Sequence, residues 1–396
     1  MDAPAVSRTS RALLSFPAAL ILSTVASALG AFIGNRLSGD RARGDRDVRS
    51  RAAPPPRAAG NTDAAALTVV AACARARPRV QLVTNAATCA KVVDCALAIG
   101  AKPVMGASTP EEAAEACAKV GATLLNFGTP TGEPVARAVV SAAVVVVDPV
   151  GCGLATRGAA VKRWLEYRKE YRKEHRKGGK PRTVHTVVKG NASEMAALMR
   201  LYGLGEAEAA LLGATGASVS ATAEAEVGAA RDETMEEAEK RDRVVMIALS
   251  ALSGALDAYV VMTGAVDYGV PREDQGDTVW VTREDNCAVL TRFSGAGCCL
   301  GGVIAAFVAA HGLGAAKPLS SYRNSVFRTA DRTSVSTPGA AYGSPRADPV
   351  RAACAWYRRV AAEVEATMGS SPGPASFQAA FFDALAQGAG DAGRVG

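Results

Sequence analysis

From residue 62 onward the chain alternates short apolar runs with longer amphipathic stretches, a spacing that predicts repeated strand and helix units. Val80–Thr84 reads as a first strand, followed by a helix from Cys89 to Ile99, and Pro103–Met105 as a second strand. Thr109-Pro110-Glu111-Glu112 then supplies a helix N-cap, a proline suited to the first helical position and two carboxylates matched to the helix dipole, opening a helix that runs to Val120. Thr123–Asn126, Val144–Asp148, Val184–Val188 and Ala258–Met262 are apolar runs of strand length, as expected where helices cover both faces of a sheet. A long helix, Glu233–Leu256, precedes the last of them. Thr278–Val281 and Ala288–Leu290 read as a hairpin around Arg283-Glu284-Asp285-Asn286, and Leu300–Ala310 as a closing helix. The expected fold class is α/β, with a mainly parallel central sheet and helices on both faces.

Composition changes this picture mainly at the N-terminus. The 396 residues are 49% hydrophobic, enough to bury a large core in one main domain spanning 62–396. The net charge is +7, but residues 1 to 60 hold nine arginines against four aspartates and so carry +5 of it. Apart from one insert, Lys162–Arg182, the near-neutral body has no basic stripe interleaved with aromatics, so no nucleic-acid partner is expected. Nine scattered cysteines without a Cys-x-x-Cys pair, and only three histidines, point to reduced thiols and no zinc site.

Leu13–Ile33 is a run of 21 uncharged residues, long enough to span a membrane. Its small residues, Pro17 and an Ala26-Ser27-Ala28 cleavage-like site favour a secretory-type signal instead. Asn35–Arg57, ending in Pro54-Pro55-Pro56, is too polar and proline-rich to fold, and its arginine content is that of a transit segment. Residues 1–61 are therefore expected to be a targeting segment and linker, resembling bipartite plastid targeting, with a retained membrane anchor or a cytoplasmic location as the alternatives.

The candidate chemistry gathers at strand ends and at one glycine-rich turn. Ser294-Gly295-Ala296-Gly297-Cys298 follows a strand-like run, Cys287–Phe293, and opens the last helix of the sheet pattern. Glycines admit a ligand close to the backbone, and the first-turn amides of a helix attract a phosphoryl group. Cys298, in that turn, meets the positive end of the dipole, which favours a thiolate able to act as base or nucleophile. In an open sheet, ligands bind beyond the carboxyl ends of the strands. Polar residues stand at five such ends: Thr84-Asn85, Asn126-Phe127-Gly128-Thr129, Asp148-Pro149-Val150-Gly151-Cys152-Gly153, Lys189-Gly190-Asn191-Ala192-Ser193-Glu194 and Thr263-Gly264. Turn chemistry uses the same residue types, so Asp148 also reads as a turn residue and Glu194 as part of a capping box with Asn191.

Taken in order, these segments resemble the hydroxyethylthiazole kinases of thiamine biosynthesis, a family of the ribokinase-like fold. The likeness extends to Leu97–Met105, Thr263-Gly264-Ala265-Val266-Asp267 and Gly373-Pro374-Ala375-Ser376-Phe377, and covers most of residues 80 to 390. It implies ATP-dependent phosphorylation of the hydroxyl of 4-methyl-5-(2-hydroxyethyl)thiazole, with Mg2+ as cofactor and a homotrimer as the assembly. Cys298 would take the position of the base, in-line beside an anion hole of Gly295, Ala296 and Gly297. Asn85, Met105 and Gly295 would meet the thiazole alcohol; Asn126, Lys189 and Thr263 would meet ATP; Asp148 and Glu194 would hold the metal, directly or through water. Lys189 stands where the family usually has arginine, keeping the charge and losing the bidentate fork. Related kinases of the fold carry aspartate at the Cys298 position. The alternatives are another enzyme of this fold, a pyrimidine-alcohol kinase or nucleotide-dependent dehydratase, or a non-catalytic ligand-binding relative.

Two segments read as insertions. The first, Lys162–Arg182, carries the tandem Tyr167-Arg168-Lys169-Glu170 and Tyr171-Arg172-Lys173-Glu174, expected to form an exposed helix laced with near-neighbour ion pairs. The second, Lys317–Asp348, is rich in Ser, Arg, Gly and Pro and reads as a loop before a helix from Pro349 to Met368.

Overall fold

The computed structural model describes residues 61–105, 109–128, 133–176, 185–215, 235–272, 279–311, 348–369 and 372–395. Residues 1–60 of the expected targeting segment, residues 177–182 of the first expected insertion and nearly all of the second lie outside the described residues.

The strands are β1 (Arg79–Val83), β2 (Lys102–Met105), β3 (Ala122–Asn126), β4 (Val144–Asp148), β5 (His185–Asn191), β6 (Tyr259–Thr263), β7 (Asp267–Val270) and β8 (Trp280–Thr282). They form one sheet in the order β2-β1-β3-β4-β5-β6-β7-β8. The first six are mutually parallel, and β7 and β8 are antiparallel additions at one edge.

Alternation along the strands explains the unbroken valine runs. Val144 and Val146 pack into one core and Val145 and Val147 into another, because successive side chains leave opposite faces of a strand. The first face is covered by helices α1 (Asn61–Ala76) and α2 (Cys89–Ala98), together with the C-terminal helices α9 (Ala296–His311), α10 (Pro349–Met368) and α11 (Pro374–Val395). The opposite face carries α3 (Pro110–Lys119), α4 (Glu133–Ala138), α5 (Ala155–Arg176), α6 (Ala192–Leu201), α7 (Glu206–Thr215) and α8 (Met235–Leu256). The expected α/β class is the observed one. Thr109 caps α3 as its sequence implies, its hydroxyl accepting from the Glu112 amide at 3.2 Å.

Two expectations are corrected. The hairpin around Arg283–Asn286 does not form. β8 pairs instead with β7, and Ala288–Thr291 makes a 3-10 turn. Asp285 takes a left-handed φ of 58°, which ends the strand direction, and the Val289 amide donates to the Glu365 carboxylate at 3.2 Å. The apolar character of Cys287–Phe293 serves helix packing: Phe293 joins an aromatic cluster with Phe377, Phe381 and Phe382 of α11.

The second correction concerns the tandem helix. Within α5, Trp164, Leu165, Arg168 and Arg172 are buried, and Arg168 is only 1% exposed. The Arg168 guanidinium donates to the carbonyls of Ala142 at 2.7 Å and His185 at 2.8 Å, and to that of Val140. Arg172 pairs with Asp257 at 2.9 Å, and Lys169 donates to the Ala255 carbonyl at 2.7 Å. Only the outer side of the helix keeps the expected exposed pairing, Lys173 to Glu170 at 2.6 Å.

Candidate active site

The carboxyl ends of β1, β3, β4 and β5 converge on the first turn of α9. Asn85, just past β1, and Asn126, the last residue of β3, are both buried and joined by a 3.1 Å hydrogen bond from the Asn85 Nδ2 to the Asn126 Oδ1. The Asn126 amide also donates to the Asp148 Oδ2 at 2.7 Å and to the Cys298 Sγ at 3.2 Å, and Asn85 reaches the same sulfur at 3.7 Å. Two amide side chains from two strands thus hold the thiol in place.

Lys189, near the end of β5, completes the cluster. Its ammonium, 3% exposed, donates to the Asp148 Oδ1 at 3.2 Å and to the Gly297 carbonyl at 2.8 Å. Burial opposes the charge, but the neighbouring carboxylates, Asp148 ahead of Glu194, outweigh it and raise the Lys189 pKa, so the group is a cation. A buried positive charge therefore sits against the glycine-rich turn.

The turn itself requires its glycine. Gly295 has a φ of 99°, and a Cβ there would lie 2.7 Å from the Thr88 Cγ2. Helix α9 starts at Ala296, so its first-turn amides lack intrahelical acceptors. Lys91 steadies the entry by donating to the Ser294 carbonyl at 2.9 Å.

The state of Cys298 departs from the dipole argument. Burial, first, and the Asp148 charge raise the thiol pKa above its ordinary value, while Lys189 and the Asn126 amide pull it down. The thiol, not the thiolate, is the resting form at neutral pH. A helix dipole acts with a fraction of a charge, and here it meets desolvation and a full negative neighbour.

Glu194 satisfies its capping-box reading in full: its amide donates to the Asn191 Oδ1 at 2.9 Å and its carboxylate accepts from the Asn191 amide at 2.8 Å. The same carboxylate accepts from the Gly151 amide at 3.4 Å, which draws the turn after β4 toward β5. Burial and the Asp148 charge raise the Glu194 pKa. The cost of keeping two carboxylates ionised together is one a divalent cation would remove. Among the described residues no three metal-ligating side chains cluster, so a cation here would complete its shell with water and phosphate oxygens.

Two expected contacts lie farther out. Thr263 ends β6, half-buried, with its hydroxyl on the Gly190 carbonyl at 3.4 Å. Met105 ends the edge strand β2, 40% exposed, and is not drawn into the Cys298 network. Sequence reasoning missed Lys91, whose signal was faint: a lone lysine in the first turn of an apolar helix.

The Hydroxyethylthiazole kinase family profile matches residues 70–336. A hydroxyethylthiazole kinase of Corynebacterium efficiens is 32% identical over 241 residues, covering 59% of this chain and 71% of that protein. One of Methanoculleus marisnigri is 31% identical over 251 residues, covering 61% and 72%. The solved hydroxyethylthiazole kinase of Pyrococcus horikoshii OT3 superposes with a TM-score of 0.52 over 81% of this chain and 92% of that one, at 20% identity, a likeness of fold. With profile, relatives, fold and the Cys298 cluster in agreement, the chain belongs to the hydroxyethylthiazole kinase family.

Proposed function

We propose that this kinase moves the γ-phosphoryl group of ATP to the primary hydroxyl of 4-methyl-5-(2-hydroxyethyl)thiazole, with Cys298 at the acceptor oxygen. The observation that carries this reading is the convergence of Asn85, Asn126 and Lys189 on the first turn of α9, where Cys298 sits beside unpaired helix amides. The hydroxyl oxygen attacks the γ-phosphorus, the bond from phosphorus to the ADP oxygen breaks, and the hydroxyl proton passes to the Cys298 sulfur from its thiolate state. Phosphoryl transfer of this kind needs in-line positioning and stabilisation of spread charge more than covalent help.

The anion hole of Gly295, Ala296 and Gly297 holds the transferring group, and Lys189 adds a full positive charge beside it. Asn85 and Gly295 border the acceptor alcohol, with Met105 contributing from β2, and Asn126 and Thr263 face the nucleotide side. Asp148 and Glu194 would hold a Mg2+ ion, directly or through water, and the ion would supply neutralisation of phosphate charge. Its fit rests on the raised Glu194 pKa and on the charge balance, since one lysine faces two carboxylates before any triphosphate arrives.

The same reading takes the assembly to be a homotrimer, for which the exposed Leu97 and Met105 near the free edge of β2 offer apolar surface. It takes the N-terminal segment to direct the chain to a plastid, which N-terminal sequencing of the mature protein tests. For the activity, the decisive measurement is ATP consumption by the full chain with the thiazole alcohol, with a pyrimidine alcohol and with no acceptor. Turnover confined to the thiazole alcohol supports the reading, and turnover confined to the pyrimidine overturns it.

A further inference from the structure

Two adjacent residues of α10, Tyr357 and Arg358, are almost fully buried although both are polar, and each reaches a different loop at the carboxyl edge of the sheet. The Tyr357 hydroxyl donates to the Ala296 carbonyl at 2.9 Å. The Arg358 guanidinium donates to the carbonyls of Gly264 at 2.9 Å, Ala265 at 2.9 Å and Glu284 at 3.2 Å, and to the Asp267 Oδ1 at 3.1 Å. The same Asp267 oxygen accepts from the Gly264 amide at 3.0 Å, so the turn after β6 is closed around the guanidinium.

A peptide unit is planar, so fixing a carbonyl also fixes the N–H that follows it, on the opposite side. The glycine-rich turn is held in this way three times: Lys91 on the Ser294 carbonyl sets the Gly295 amide, Tyr357 on Ala296 sets that of Gly297, and Lys189 on Gly297 sets that of Cys298. Lys91 and Lys189 reach in from elements next to the site. Tyr357 comes from behind it, where Phe381 stands edge-on against its ring at a centroid distance of 4.9 Å. Because Arg358 is the very next residue, one helix turn ties the phosphate-facing turn to the Thr263–Asp267 turn.

We propose that Tyr357 and Arg358 are positioning residues that keep the phosphate-facing turn and the Thr263–Asp267 turn in a common register, so that a nucleotide seated on the second presents its terminal phosphate to the first. This rests on the ATP-dependent reading of the site. The two residues act on different parts of the same ligand. Tyr357 sets an amide that meets the terminal phosphate alone, whereas Arg358 shapes the turn that meets the rest of the nucleotide.

Calorimetry of ATP and ADP binding to the full chain, in Mg2+ buffer without acceptor, separates the two roles. Tyr357→Phe keeps the ring and removes the hydroxyl; it should weaken ATP by about fivefold, the worth of one hydrogen bond, and leave ADP unchanged. Arg358→Lys keeps the charge and loses the fork, and should weaken both nucleotides by a similar factor of about five. A purely structural role for Tyr357 would lower the melting temperature without moving the ATP-to-ADP affinity ratio, and that result overturns the proposal even if Arg358→Lys does not fold. Wild-type protein that binds neither nucleotide overturns the ATP-dependent reading itself, while wild-type binding with an unchanged ratio in Tyr357→Phe overturns the positioning role alone.

Discussion

Two cations lie buried at opposite ends of β5. Lys189, near the carboxyl end, touches Asp148 and the Gly297 carbonyl within a cluster that includes a thiol and a second carboxylate. Arg168 reaches from α5 to the amino ends of β4 and β5 and is spent on the carbonyls of Val140, Ala142, Ala143 and His185 and on the Thr186 hydroxyl. Both satisfy the requirement that a buried charge be paired or hydrogen-bonded. The difference lies in the partners. Backbone carbonyls at strand starts do not titrate or move, so Arg168 is a fixed joint. The partners of Lys189 include ionisable groups and the first turn of a helix, and on the proposed reading a phosphoryl group would compete with the Gly297 carbonyl for its protons.

Removing each charge tests that contrast. Lys189→Met should lower kcat about a thousandfold, the loss expected when a preorganised charge at a developing anion is deleted. Steady-state turnover of folded, monodisperse protein checks it, and a loss of tenfold or less would place Lys189 among the structural residues. Arg168→Met should instead remove about 3 kcal/mol of stability, because several buried carbonyls lose their donor at once. Urea unfolding reads that loss, and kcat of the folded fraction should stay within about twofold of the parent, as the site is at the other end of the sheet.

The two regions were unequally legible in the sequence. Asn85, Asn126, Asp148 and Lys189 stood out because a polar residue closing an apolar strand run is informative wherever the sheet is parallel, and the structure brings all four to Cys298. Arg168 was hidden by its surroundings, since a tandem of Tyr-Arg-Lys-Glu reads as a solvated face. A helical signal was present: Trp164, Arg168 and Arg172 recur at four-residue steps, so two arginines share the face of a tryptophan. Arg358 carries the same mark, falling in line with the buried Cys354 and Ala361. β7 went unread because Asp267-Tyr268-Gly269-Val270 is too short to show alternation, and it becomes a strand through pairing with β6 and β8. The false hairpin had the opposite origin, an apolar stretch whose partner is the aromatic face of α11.

Cys298 sharpens the contrast on a smaller scale. Cys298→Ala should cost about a hundredfold in kcat if the sulfur accepts the hydroxyl proton, and little if it only fills space. Cys298→Asp should retain turnover within about threefold of the parent or exceed it, since a carboxylate is the better oxygen-directed base.

The pH profile then distinguishes the two side chains. Burial and Asp148 raise the Cys298 pKa, so at neutral pH the base form is a minority that grows as pH rises. With the proton transfer on the path, log kcat of the parent should climb by about one per pH unit from pH 7 toward the thiol pKa. In Cys298→Asp the base is already ionised across that range, with Lys189 beside it, and the profile should be flat. Arg168→Met should keep the parent's slope, because nothing around it titrates into the reaction. A flat parent profile would leave Cys298 with orientation of the alcohol as its whole contribution, and would shift the catalytic weight onto Lys189 and the amides of the turn.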